Sequence, residues 1–564
     1  MSIIVKEEKH WLDRYASGFH GWTCHTQADH GCHSSRNIGL VESGFDDDGR
    51  NFEGRADVHG LLKLHIEGSY SEENLRERIE LVWANLLLRY PMLRATVIES
   101  HRSNGTPQRH FTIKKPGINR GEYLAQSTST IVQLKDHTYY HVDPADFLKH
   151  AENTSRILNP AQTQSKLFVL PPDPRSESSF QVSLMFIIAH EITDGLTMYN
   201  WLPHFHSLLN QPISSLRKTL DSSLTHGFHL PPAQEDLYPP IIGSLARQRW
   251  HWLLFRILRH IRRPLPRAFP NPLSRQHPFP PGSAPRLPPS YPTILDYSTV
   301  PPLLTYRAYA VLPPQASATF LSLTKDLNVS PGATAFALLG LVMQTLHASL
   351  HPTAPRDPFI ASFPLNPRSY FQPPVTEAAS LMLAFSDGIV LPFLPPDLPV
   401  IGRLRVLAKR AQRELRRWQK RELGEKGKRD VLGNLYCWTQ ERRGWDVQGE
   451  YNVRPRESGA TCGVSWLGKV EDFIRGPRWE GGDTKVNNEN GGDDREAEFK
   501  ALWVDVDNGV RVREREFLAV GVIMGESVRF AVSYDGNAYD EELIRKWEKT
   551  METILLEDSE RARL

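Results

Sequence analysis

Val182-Ser183-Leu184-Met185-Phe186-Ile187-Ile188-Ala189-His190-Glu191-Ile192-Thr193-Asp194-Gly195 is the stretch from which the rest of the chain can be read. Its first eight residues are almost wholly apolar and partly β-branched, too short to cross a membrane, and fit a strand buried on both faces. After the short turn the apolar residues Met198, Trp201, Leu202, Phe205, Leu208 and Leu209 fall at helical spacing. His190 to Gly195 therefore occupy the handover from a buried strand to a helix, the place where α/β proteins set side chains over a ligand crevice.

Upstream, Val58 to Glu67 alternates as a strand, and Ser71 caps a helix carrying Leu75, Ile79, Val82, Trp83 and Leu86. That helix stops before Tyr90-Pro91, and Leu93 to Ile98 resumes as strand. A helix is expected from Asp143 to Leu158 and a strand at Leu167 to Leu170. Downstream, a second body begins near Tyr306 with the strand Arg307 to Leu312 and a helix that Ser330 caps with Pro331 in its first turn. It continues through the strand Phe359 to Phe363, a basic-sided helix from Leu404 to Trp418, paired strands Phe517 to Ile523 and Val528 to Tyr534, and a final amphipathic helix through Leu543, Trp547 and Ile554. The expected class is α/β with mixed sheets, in two lobes. Residues 1–35 read as a flexible lead-in, 36–225 as the first lobe, 226–305 as a proline-rich connection, and 306–564 as the second lobe with a polar insertion at 475–498.

Within the connection, Trp250, Leu253, Leu254, Ile257, Leu258 and Ile261 form one apolar stripe. Arg247, Arg249, Arg256, Arg259, Arg262 and Arg263 lie largely outside it. Contact with a membrane surface through 247–263 is one reading. Surface helices of ordinary domains carry the same stripe, so packing against the enzyme body is the expectation.

The 564 residues allow two to four domains, and 67 basic against 65 acidic residues leave no global charge with which to hold nucleic acid. Four cysteines, Cys24, Cys32, Cys437 and Cys462, are no disulfide framework for so long a chain. His20, Cys24, His25, His30, Cys32 and His33 have no closed zinc-finger spacing, so no metal is expected. The N-terminus meets charge within six residues and no stretch reaches 18 uncharged apolar residues, which predicts a cytoplasmic protein without a membrane span and an idle glycosylation sequon at Asn153-Thr154-Ser155.

Chemically, a neutral imidazole at His190 can take a proton from an alcohol or amine as it attacks a carbonyl. Asp194, four residues on in a tight turn, is better placed to fix the loop through an arginine or backbone donors, and Gly195 allows close approach of the chain. An isolated histidine in such a place is more often a satisfied core residue; the strand before it and the Asp-Gly after it favour catalysis. A second His-x-x-x-Asp, His25 to Asp29, has neither. The string is not a zinc-protease motif, since Asp194 replaces the second histidine, and no Gly-x-Ser-x-Gly, P-loop or Gly-x-Gly-x-x-Gly occurs.

Ala189-His190-Glu191-Ile192-Thr193-Asp194-Gly195 resembles the His-His-x-x-x-Asp-Gly motif of the condensation-domain and CoA-dependent acyltransferase superfamily, which includes fungal acetyltransferases and BAHD enzymes. Arg36 to Glu42 is similar to the opening Arg-x-Leu-Gly-x-x-Glu of fungal members, and Tyr90-Pro91-Met92-Leu93-Arg94 to their helix-to-strand junction. Asn366-Pro367-Arg368 and Ser465-Trp466-Leu467-Gly468 resemble the Asn-x-Arg and Ser-x-x-Gly of the second lobe. The resemblance implies two chloramphenicol-acetyltransferase-like lobes with His190 in a tunnel between them. It implies His190 as general base, Asp194 paired with Arg368, Gly195 in support, and Ser465 as a possible donor to the oxyanion. It also implies an acyl thioester donor, acyl-CoA and above all acetyl-CoA, as co-substrate with no bound cofactor, a small-molecule alcohol or amine as acceptor, a monomer, and a place in fungal secondary metabolism. Ala189 in place of the first histidine argues against a peptide-forming condensation domain, and the Asp-Phe-Gly-Trp-Gly signature of plant BAHD enzymes is absent. No carrier-protein domain is read in this sequence, which favours a free CoA thioester. A condensation-like protein fed by a carrier-bound thioester and a catalytically silent scaffold of the same fold remain the alternatives.

Overall fold

In the computed structural model the described residues are 18–27, 31–68, 71–101, 107–116, 119–176, 179–225, 229–237, 243–261, 265–280, 282–283, 286–299, 301–371, 375–386, 388–416, 459–473 and 499–556. The expected insertion at 475–498 and the end of the basic helix beyond Arg416 lie outside them. The strand Ser179–Ile188 runs through the middle of the first lobe's six-stranded sheet, flanked by Val58–Glu67 on one side and Ser165–Val169 on the other. Its register sets Ile188 opposite Val58 on one side and Ser165 on the other, the first residue of each neighbour, so the strand ends, still buried, at the sheet's rim with His190 just beyond it. Alternation divides the packing: Leu62, Leu64 and Ile66 face a core shared with the helices Glu72–Arg89, Gly195–Leu209 and Ile213–Thr225. Leu61, Met185 and Ile187 face the helix Pro144–Glu152 on the other side. Ser71 does cap its helix, accepting from Asn74 N at 3.3 Å.

The second lobe's sheet runs in the order Thr305–Val311, Ser527–Asp535, Phe517–Met524, Cys462–Lys469, Phe359–Ser362, Ile389–Leu391. The helices Pro314–Asp326, Pro331–Leu350, Val400–Arg416 and Glu541–Thr553 fill its core. Pro331–Leu350 corrects one sequence expectation: over an 18-residue window it is apolar enough to cross a membrane by length and composition, and 78% of that window is buried inside the protein. Pairing it with the sheet explains the composition, since a helix apolar all round is a core helix.

Four other expectations are corrected. Residues 18–35 are not a free lead-in: Thr23–Gln27 and Gly31–Asn37 join Pro107–Lys114 and Thr96–His101 in a four-stranded sheet. The division at 306 is crossed, because Lys500–Val510 leaves the second body and pairs with Val58–Glu67, covering what would be an open sheet edge in the first. The connection is not passive either: Phe269 and Leu273 enter the second lobe's core while Tyr291 and Leu295 enter the first's. Within it the helix Leu245–Ile261 does not lay its stripe on the body. Trp250, Leu253, Leu254 and Ile257 are all exposed, Trp250 to 57%.

Candidate active site

Asp194 ends the turn with extended backbone and caps the helix Gly195–Leu209, Oδ1 accepting from Thr197 N at 2.8 Å. Its other oxygen reaches into the second lobe, accepting from Arg368 Nη2 at 2.7 Å and Met382 N at 2.9 Å. Arg368 also donates to Ser380 O at 2.8 Å, and Leu381 N donates to Ile192 O at 3.0 Å. Asp194 and Arg368 are both buried, so the charges are paired where water cannot replace either partner. The turn is thus clasped by second-lobe residues 380–382, joining the lobes at the motif.

His190 stands at the mouth of this clasp, half-buried, with its ring stacked on Phe45 at 3.8 Å between centroids and 3° between planes. Nδ1 is buried and finds no hydrogen-bond partner beyond its own residue, which leaves Nε2 as the nitrogen able to meet another molecule. Burial pushes the imidazole down to about 4; its own backbone carbonyl opposes the shift and the Arg513 cation adds to it. At neutral pH the ring is therefore uncharged and holds a free lone pair.

Phe45 comes from the helix Leu40–Asn51, whose Asp46, Asp47 and Asp48 each meet arginines: Asp46 with Arg50 and Arg109, Asp47 with Arg109, Asp48 with Arg55 and Arg513. Arg36 anchors the start of this helix by a two-oxygen pair to Glu42 at 2.6 and 2.7 Å, while Glu42 also accepts from Gly39 N at 2.7 Å. Beside His190, Glu191 is fully buried, and neither carboxylate oxygen finds a hydrogen-bond partner beyond its own residue. Burial pushes its carboxyl up to about 8, against the pull of Arg156, which lies 3.7 Å away and is held by Asp57 at 2.8 Å.

No family model matches the sequence, and no curated protein matches it either. Solved structures do match. The trichothecene 15-O-acetyltransferase TRI3 from Fusarium sporotrichioides superposes with a TM-score of 0.62 at 13% identity, over 95% of this chain and 97% of that one. The first condensation domain of the CDA synthetase superposes with a TM-score of 0.50 at 12% identity, over 94% and 95%. The likeness is one of fold: this chain shares the two-lobed fold of that acetyltransferase and that condensation domain. Both lobes of that fold are present among the described residues and the His-x-x-x-Asp-Gly turn lies at their junction.

The structure brings His190, Asp194, Gly195 and Arg368 into one neighbourhood. A Cβ at position 195 would meet Leu467 of the strand Cys462–Lys469 at 3.4 Å, an ordinary van der Waals contact, so the close approach expected of Gly195 is not one that only glycine allows. Ser465 lies two residues earlier on that strand, half-buried, and is not placed in hydrogen-bond contact with His190. A cavity of about 610 Å³ opens between the two sheets, lined by Leu61, Tyr199, Arg307, Asn508 and Tyr534 among others; His190 is not part of its lining. Sequence reading missed Phe45, Glu191 and the 380–382 clasp. Only Glu191 had a signal, its place inside the motif.

Proposed function

We propose that this protein is an acyltransferase that moves an acyl group from a thioester, acyl-CoA in the first instance, to a hydroxyl of a small molecule, with His190 as general base. The observation that carries the reading is the pairing of Asp194 with Arg368 across the lobes, which fixes a turn whose next functional atom is an uncharged His190 nitrogen. In the reaction Nε2 takes the acceptor's proton as its oxygen attacks the thioester carbonyl. Collapse of the tetrahedral intermediate breaks the carbon–sulfur bond, and the imidazolium returns the proton to the departing thiolate. Ser465 is the side chain proposed to steady the oxyanion, where one donor is worth about 100 to 1000-fold in rate. The fold likeness to a 15-O-acetyltransferase supports acetyl transfer to an alcohol as the first chemistry to test, and a setting in fungal secondary metabolism.

Two observations favour a second reading, a catalytically silent scaffold: Phe45 covers one face of His190, and the inter-lobe cavity does not reach the ring. The test is incubation with a panel of acyl-CoAs, and separately with carrier-protein-loaded acyl phosphopantetheine, against pooled alcohols and amines, with mass detection of acylated acceptor. Ester from the CoA arm supports the proposal, and product from the carrier arm alone replaces it with a condensation-like protein. No product from either arm supports the scaffold.

A further inference from the structure

The helix Leu245–Ile261 presents to solvent what most helices hide. Trp250, Leu253, Leu254 and Ile257 stand at i, i+3, i+4 and i+7, one face of a helix, and each is at least 40% exposed. Leu245 before them and Leu265 after the helix are exposed as well, and among the described residues nothing covers the stripe. The charge along this part of the chain has a single sign. Between Asp236 and Asp296 the sequence holds nine arginines and no acidic residue, and Arg247 and Arg249 on the helix itself are exposed. A stripe of large apolar residues with a tryptophan in it, on a helix whose only charges are positive, matches an acyl-chain boundary beneath a layer of negative headgroups.

We propose that this helix seats the protein on an anionic phospholipid surface, with the Trp250–Ile257 stripe entering the headgroup boundary and the arginines meeting lipid phosphates and carboxylates. A partner protein with an acidic rim, or a second copy of this chain, would also cover apolar side chains. A second copy is disfavoured by charge, because it would set two arginine-rich helices against each other without an acidic residue in either.

The experiment is co-sedimentation of the full chain with phosphatidylcholine vesicles, with and without phosphatidylserine at about three lipids in ten. Binding is expected only with phosphatidylserine, and it should weaken as salt is raised. Trp250→Glu with Leu254→Glu should return the bound fraction to background, while Arg247→Gln with Arg249→Gln should weaken binding about 25-fold, at about fivefold for each arginine. All four side chains are exposed, and far-UV circular dichroism checks that the variants fold. Should the glutamate pair not fold, the arginine pair and the salt dependence of the wild type decide alone. The proposal is overturned by no binding to either vesicle, by equal binding to both, or by binding that the substitutions leave unchanged. It is equally overturned if no vesicle is bound and light scattering shows a dimer that the glutamate pair dissociates.

Discussion

Replacing Asp194 by asparagine changes two atoms at the junction of the lobes, and its effect can be worked out from the contacts. The carboxylate accepts from Thr197 N through one oxygen and from Arg368 Nη2 and Met382 N through the other. An amide has one oxygen. Turned toward Arg368, it points its NH₂ at Thr197 N and loses a helix cap worth about 1 kcal/mol. Turned the other way, it sets donor against donor at Arg368 and Met382. In both orientations a buried guanidinium loses its counter-charge, which typically costs about 3–5 kcal/mol. Arg368 keeps Ser380 O and lies near Asn366 Oδ1, so the lower end, about 3 kcal/mol, is expected. At about 2–4 °C per kcal/mol for lobes of this size, melting should fall by roughly 6–12 °C. Scanning fluorimetry measures that shift, and transfer rate, taken well below the variant's melting point, should fall with it. Asp194→Asn combined with Arg368→Gln should cost less than the two separately, because each removes the same pair. A variant that melts within about 1 °C of wild type and keeps its full rate would refute the clasp as what holds the site.

Other expectations follow from the same geometry. Phe45→Ala removes the ring stacked on His190; it should cost about 3 kcal/mol of stability and, by opening space beside the proposed base, raise kcat/KM for long acyl chains relative to acetyl, and an unchanged ratio would show that the ring does not limit the acyl chain. Because burial holds Glu191 protonated up to about 8 while an unfolded glutamate ionises near 4.5, stability is drained as pH rises between those values. Glu191→Gln carries no such proton, so its melting temperature should gain on wild type from pH 5 to 8, and parallel curves would contradict this. For His190 the sign is opposite: its lowered value gives stability that is present above about 6.5 and lost as pH falls toward 4, and the acid limb of transfer should lie near pH 4 rather than 6.5.

Much of the fold was legible because its signals are local. The alternation of Val58 to Glu67, the Ser71 and Ser330 caps, and the apolar run before His190 each lie within a few residues, and each is an element of the structure. The helix Ile213–Thr225 goes unread in the sequence because serines and threonines dilute its stripe; Leu216, Leu220 and Leu224 are nonetheless buried. Lys500–Val510 could not be assigned, since its partner strand lies more than 400 positions earlier and nothing in its own residues names it. The site divides in the same way. His190, Asp194 and Gly195 are adjacent in sequence, and Arg368 was reachable only through resemblance to a motif. Phe45 stacks on His190 from 145 positions away, a contact that no spacing rule contains. The exposed stripe at Trp250 was visible as a pattern, but burial alone decides whether such a stripe is core or surface.

The most direct test of the account is thiol release from acyl-CoA in the presence of acceptor, comparing wild type with a folded His190→Ala variant. Release that requires acceptor and falls at least about 100-fold in the variant is what general-base catalysis at His190 predicts. Acceptor-dependent release at the wild-type rate from the alanine variant would contradict it.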